Sequence, residues 1–150
     1  MRYVADTNVV SELMKRDPAP SVIDWFQDCE GEIYLTSVTV MELYYGMLKL
    51  PEGKRKQRLS DAIAGIVMDC AEKTFSFDAY CGFLCAQLHE RAVKSGHTPT
   101  VEDLMIAAIC QRNDAVLATR NTRDFDYLGI DFMNPFIYES ETLKRLRAQL

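Results

Sequence analysis

The feature that most constrains this chain is the alternation of short apolar runs with longer stretches of helical periodicity. The runs at Tyr3 to Ala5, Ile33 to Thr36, Thr74 to Phe77, Ala115 to Ala118 and Asp131 to Met133 read as strands, and the segments between them as helices. Strands separated by helices pair in parallel through right-handed crossovers, which predicts an α/β fold: a central, mainly parallel sheet with helices on both faces. In such sheets ligand sites lie beyond the carboxyl ends of the strands. A length of 150 residues suits one domain, which buries roughly two-thirds of the surface its unfolded chain exposes.

Punctuation between the elements agrees with this reading. Ser21 is expected to cap the helix carrying Val22, Trp25 and Phe26, and Asp78 the helix from Ala79 to about Lys94, which Gly96 ends. Pro51-Glu52-Gly53 separates two helices, and Thr98-Pro99-Thr100 precedes another.

Composition excludes several classes. Hydrophobic residues make up 48% and charged residues 26%, which is globular rather than disordered. No stretch reaches the roughly 20 apolar residues of a membrane span, and Asp6 stands where a signal peptide needs its apolar core, so no membrane association and a cytoplasmic location are expected. Five cysteines, Cys29, Cys70, Cys81, Cys85 and Cys110, form no disulfide-like framework and fit reduced thiols. A net charge of -5 argues against a nonspecific nucleic-acid binder. The positive charge is nevertheless clustered, at Lys15-Arg16 and at Lys54-Arg55-Lys56 with Arg58.

Three acids sit in apolar surroundings with no basic neighbour. Glu42 is the only charge between Glu32 and Lys49, Asp103 directly precedes the apolar run Leu104 to Cys110, and Asp6 is the only charge between Arg2 and Glu12. A buried carboxylate costs several kcal/mol unless it is neutralised, paired or bound to a metal. Each has a plainer reading too. Asp6 serves equally as an N-cap, and Asp103 as an acid favoured by the helix dipole. Asp124, in Thr119-Arg120-Asn121-Thr122-Arg123-Asp124-Phe125, has arginines at hand for surface pairing. Glu42, mid-helix on an apolar stretch, is hardest to explain as a solvated charge.

Four motifs taken in order resemble the PIN-domain family, most closely its VapC-type and FitB-like toxins: Asp6-Thr7-Asn8 after the first strand, Glu42 within Ser37 to Leu43, Asp103 within Glu102 to Ala108, and Ala118 to Phe125. The resemblance implies a PIN-like fold over residues 1–137 and a homodimer; residues 138–150 depart from the family pattern and read as an amphipathic C-terminal extension, whose Leu143, Leu146 and Leu150 recur at helical spacing and pack at the dimer interface or on the same chain. It implies that Asp6, Glu42 and Asp103 are metal-site and catalytic acids, with either Asn121 or Asp124 completing the site, and that Thr7, Asn8, Thr119 and Asn121 orient the carboxylates. Oxygen-only ligands select Mg²⁺, with Mn²⁺ as a substitute, in one or two ions.

The function so implied is the toxin of a VapBC-type toxin–antitoxin pair, a Mg²⁺-dependent ribonuclease leaving 5′-phosphate and 3′-hydroxyl ends, with a VapB-like antitoxin, an RNA substrate and a second copy of the chain as partners. The alternative is a catalytically silent PIN-fold module that binds RNA or protein. A phosphoaspartyl transferase of haloacid-dehalogenase type also begins with an acid after its first strand, but its second acid falls at Asn8.

Other signals have ordinary explanations beside the functional ones. Cys81, Cys85 and His89 share a helical face, which suggests zinc or simple packing. Tyr44-Tyr45 suits base stacking or the core, and Lys54 to Lys56 suits RNA phosphates or a solvated helix start. His89 and His97 read as structural or exposed.

Overall fold

The computed structural model describes residues 1–149. Five strands form one sheet: β1 (Tyr3–Ala5), β2 (Ile33–Thr36), β3 (Thr74–Phe75), β4 (Val116–Ala118) and β5 (Phe132–Met133), in the order β3-β2-β1-β4-β5 with every pairing parallel. Seven helices accompany them: α1 (Thr7–Leu13), α2 (Pro20–Asp28), α3 (Ser37–Leu48), α4 (Lys54–Asp69), α5 (Ala79–Lys94), α6 (Val101–Asn113) and α7 (Glu141–Ala148). The expected strands are all present; β1 and β2 have the expected bounds, and β3, β4 and β5 are shorter by one or two residues at an end.

Side chains alternate across a strand, and that alternation builds two cores. Val4 and Leu117, paired across β1 and β4, face α5 and α6; Ala5 and Ala118, one residue on, face α1, α2, α3 and α4. Helices therefore cover both faces, as the strand–helix alternation predicts. In α6, Leu104 and every residue from Ile106 to Cys110 are buried, because the helix packs on α5 on one side and on β4 on the other. Fully buried Trp25 of α2 meets Tyr3 edge-on, with ring centroids 5.9 Å apart.

The helix ends follow local chemistry. Thr36, Asp78, Thr100 and Ser140 cap α3, α5, α6 and α7 through side-chain oxygens that accept backbone N–H bonds, each contributing about 1 kcal/mol. After α5, Gly96 adopts φ +82° so that the His97 N–H returns to the Ala92 carbonyl. Ser21 does not cap α2. Pro20 already occupies the first turn, where its fixed φ starts a helix, and the Ser21 hydroxyl instead donates to the Phe136 carbonyl at 2.9 Å.

Helix α7 contains no buried residue; Leu143 and Leu146 are exposed, and Leu150 lies outside the described residues. Its Arg147 pairs with Glu139. Among the described residues all five cysteines are free, and no helix is long and apolar enough to cross a membrane.

The central strand pair predicts a clear stability effect. Leu117→Ala, at a site with no solvent exposure, should lower the unfolding free energy by about 2–5 kcal/mol in urea titration. A loss below about 1 kcal/mol would contradict its central position.

Candidate metal centre

The strand order reverses at β1, since β2 and β4 flank it and each is reached by a crossover in the opposite direction. A crevice opens at the carboxyl edge of such a switch point. Asp6 directly follows β1 and Thr119 directly follows β4. Glu42 stands in the second turn of α3, which begins at this edge as the continuation of β2. Asp103 stands in the first turn of α6, whose N-terminus comes to the same edge because the helix must run back before β4. The topology thus gathers acids as far apart in sequence as Asp6 and Asp103.

Asp6 is nearly buried and tightly held. Its Oδ1 accepts the Thr7 N–H at 2.8 Å, and its Oδ2 accepts the Thr119 hydroxyl at 2.7 Å and the Asn8 amide at 3.0 Å. Thr119 has spent its one proton on Asp6, and its remaining lone pairs accept from Asn8 Nδ2 at 3.2 Å and from the Asn121 backbone N–H at 3.1 Å. The Asn8 carbonyl accepts the Arg120 N–H at 3.0 Å, which leaves the amide one orientation. Thr7 donates its hydroxyl to Glu42 Oε1 at 2.8 Å. Thr7, Asn8 and Thr119 thus each hydrogen-bond a carboxylate, while Asn121 touches none and meets only Thr119, through its backbone N–H. Asp6 also caps α1, as its plain structural reading expects.

Electrostatically the centre is uncompensated. Burial, against the pull of the Thr119, Thr7 and Asn8 donors, raises the Asp6 carboxyl above its ordinary range, and the Asp124 charge adds to the rise. Burial and the charges of Asp6, Asp103 and Glu102 raise Glu42. Burial and the charges of Asp124, Asp6 and Glu102 raise Asp103. Among the described residues none of Asp6, Glu42, Asp103 and Asp124 enters an ion pair. Asp124 is exposed, in the short 3₁₀ turn Thr122–Asp124, and does not pair with Arg120 or Arg123. Asn121, at the start of that turn, is exposed as well.

An all-oxygen donor set with no cationic partner fits a hard divalent ion. Among the described residues no three His, Cys, Asp or Glu side chains converge closely enough to ligate one point. The arrangement suits an ion that keeps several of its waters, as Mg²⁺ does.

Two neighbours of the centre escape a reading of the sequence. Glu102 adds a further charge beside Glu42 and Asp103, and its position next to Asp103 was the available signal. Tyr127 is the other: burial and the charges of Asp103, Asp124 and Asp126 raise its phenol, and His97 stacks on its ring with centroids 3.8 Å apart. No local pattern announces it. The zinc alternative dissolves, since Cys81 and Cys85 point into the α5–α6 core and His89 is exposed. Tyr44 packs in the opposite core, whereas Tyr45 is exposed with the Lys49 ammonium 4.7 Å above its ring.

Comparison with known families matches residues 3–130 to the PIN domain. The chain belongs to the PIN-domain family. The VapC ribonuclease Y4jK of Sinorhizobium fredii is 35% identical over 135 residues, covering 89% of this chain and 96% of that protein. Toxin FitB of Neisseria gonorrhoeae is 30% identical over 133 residues, covering 87% and 96%. The structure of FitAB bound to an IR36 DNA fragment superposes with a TM-score of 0.84 at 28% identity, covering 93% of this chain and 99% of that one. The PIN-like fold and the resemblance to VapC and FitB toxins expected from the motifs are thereby established.

The raised carboxyls of this PIN domain set a pH dependence. Between the unfolded and folded pKa values the folded chain binds more protons, so this contribution to stability is full below about pH 4 and is lost as pH rises through the folded values. Asp103→Asn removes one of the three charges. In EDTA at neutral pH it should melt a few degrees above the parent, and the difference should close toward pH 4 in thermal scans. A difference that does not vary with pH would contradict the repulsion.

Proposed function

We propose that this chain is a divalent-metal-dependent ribonuclease acting as the toxin of a VapBC-type toxin–antitoxin pair. The observation that carries this reading is the set of carboxylates without cationic partners at the β1/β4 switch point, each oriented or crowded by the others. The ribonuclease and toxin relatives support it at 30–35% identity.

Asp6, Glu42, Asp103 and Asp124 would hold Mg²⁺, with Mn²⁺ as a substitute. The bound ion would supply charge that activates a water toward phosphorus and neutralises the leaving oxygen. The protein's part is orientation. Thr119 and Asn8 fix the rotamer of Asp6, and Thr7 holds one oxygen of Glu42 so that the other is free. Asp124 supplies the fourth charge, a role Asn121 fills only through a neutral carbonyl. With its raised pKa, a carboxylate of the centre is also suited to take the proton of the attacking water. Hydrolysis of an RNA phosphodiester then leaves a 5′-phosphate and a 3′-hydroxyl. An antitoxin that covers this acidic edge, and a second copy of the chain, complete the assembly expected of such a toxin.

Purified, antitoxin-free protein should cleave RNA from a panel of tRNA, rRNA fragments and hairpins in Mg²⁺ or Mn²⁺ and not in EDTA. Asp6→Asn and Asp103→Asn should each lose at least about 100-fold in rate, and Thr119→Val about 10–100-fold through disorientation of Asp6. Folded wild type that is as inert as the variants on every RNA would favour the silent binding module.

A further inference from the structure

The four acids of the centre are held to different degrees. Three donors fix Asp6, and the Thr7 hydroxyl fixes one oxygen of Glu42. Asp103 is placed by the first turn of α6, where its backbone N–H meets the capping Thr100 hydroxyl at 3.1 Å. Asp124 is exposed and enters no ion pair among the described residues, so its place depends on the backbone that carries it.

That backbone is anchored behind Asp124. Phe125 and Leu128 are buried in the α5–α6 core, and Arg91 Nη1 of α5 donates to the Leu128 carbonyl at 3.4 Å. Between these anchors Tyr127 lies flat on His97, with ring centroids 3.8 Å apart and planes 7° from parallel. His97 belongs to the loop that joins α5 to α6. Its N–H returns to the Ala92 carbonyl, and three residues later Thr100 caps the helix that carries Asp103.

The stack therefore joins the segment that carries Asp124 to the loop that delivers Asp103. The Tyr127 phenol is also close enough to both acids for their charges to raise it. His97 is exposed, so burial of its ring does not account for the contact. Two flat faces in contact fix a distance and an angle between the segments that bear them.

We infer that the His97–Tyr127 stack is a positioning element of the metal centre, which holds the Asp124 turn against the start of α6 and so sets the separation of Asp124 from Asp103. The inference rests on the metal-dependent reading of that centre and names two residues that serve it without touching the ion. The stacked faces carry the role, and the Tyr127 hydroxyl is dispensable.

The test is Mn²⁺ affinity of the full-length, antitoxin-free protein, read from the free-ion signal in electron paramagnetic resonance. His97→Ala and Tyr127→Ala should each weaken binding at least about tenfold, as loss of a partner that orients a ligand does. His97→Phe and Tyr127→Phe keep a ring at each position and should stay within about threefold of wild type. In an Asp124→Asn background His97→Ala should add less than about twofold, because both changes act through one carboxylate. If Tyr127→Ala unfolds, His97→Ala at an exposed position carries the test.

Unchanged affinity in His97→Ala, or an equal loss with and without Asp124, would overturn the inference. The second result would assign the stack to general folding. Wild type that binds Mn²⁺ with the expected pattern yet cleaves no RNA would end the nuclease reading and leave the positioning role standing. RNA cleavage by wild type with His97→Ala affinity unchanged would do the reverse. Wild type that binds no Mn²⁺ would overturn both.

Discussion

The parallel pairing of β1 with β4 is the constraint on which the rest of the molecule depends. It places Ala5 against Ala118 and the Asp6 N–H against the Ala118 carbonyl at 2.9 Å, and so brings Thr119 within reach of Asp6. A slip of one residue would exchange the two faces of the sheet, exposing Val4 and Leu117 to the wrong core and separating the hydroxyl from the carboxylate. The same pairing creates the switch point, and the crossovers on either side deliver α3 and α6 with Glu42 and Asp103 to one edge. Fold stability and site geometry are therefore set by the same few backbone bonds.

Charge in this protein is sorted rather than balanced. The net value of -5 conceals an acidic centre without cations and, one helix away, guanidinium groups without anions. Burial and like-charge repulsion make the acidic centre destabilising to the folded chain, and Arg55, in the first turn of α4, stands against the helix dipole. A sequence under selection for stability alone would interleave the two. Local rules broken without a stabilising return are expected at functional sites.

Much of this was legible before any coordinates. Strand periodicity marks all five strands, because short β-rich runs between capped helices have few alternative readings. The isolation of Glu42, Asp103 and Asp6 from neighbouring bases marks the centre, because solvation and pairing leave their trace in local composition. What stayed hidden depends on contacts between distant segments. The joining of Lys15-Arg16 with Arg55 and Arg58 exists only once α1 and α4 both pack on α3, and Tyr127 nears Asp103 only through the turn after β4. Lys56 looked equivalent to Arg55, and only the fold turns it back onto the end of α3. Ser21 misled because its side chain has a distant carbonyl to serve and Pro20 makes a cap dispensable.

The central claim is that the uncompensated carboxylates bind a divalent cation. Mn²⁺ titrated into isotopically labelled, antitoxin-free protein reports this directly, since a bound paramagnetic ion broadens NMR signals around its site. The account predicts saturable broadening that radiates from Asp6, Glu42, Asp103 and Asp124, is competed by Mg²⁺ and is lost in Asp6→Asn. Broadening that stays diffuse over the acidic surface, or that centres away from the edge shared by β1 and β4, would contradict it.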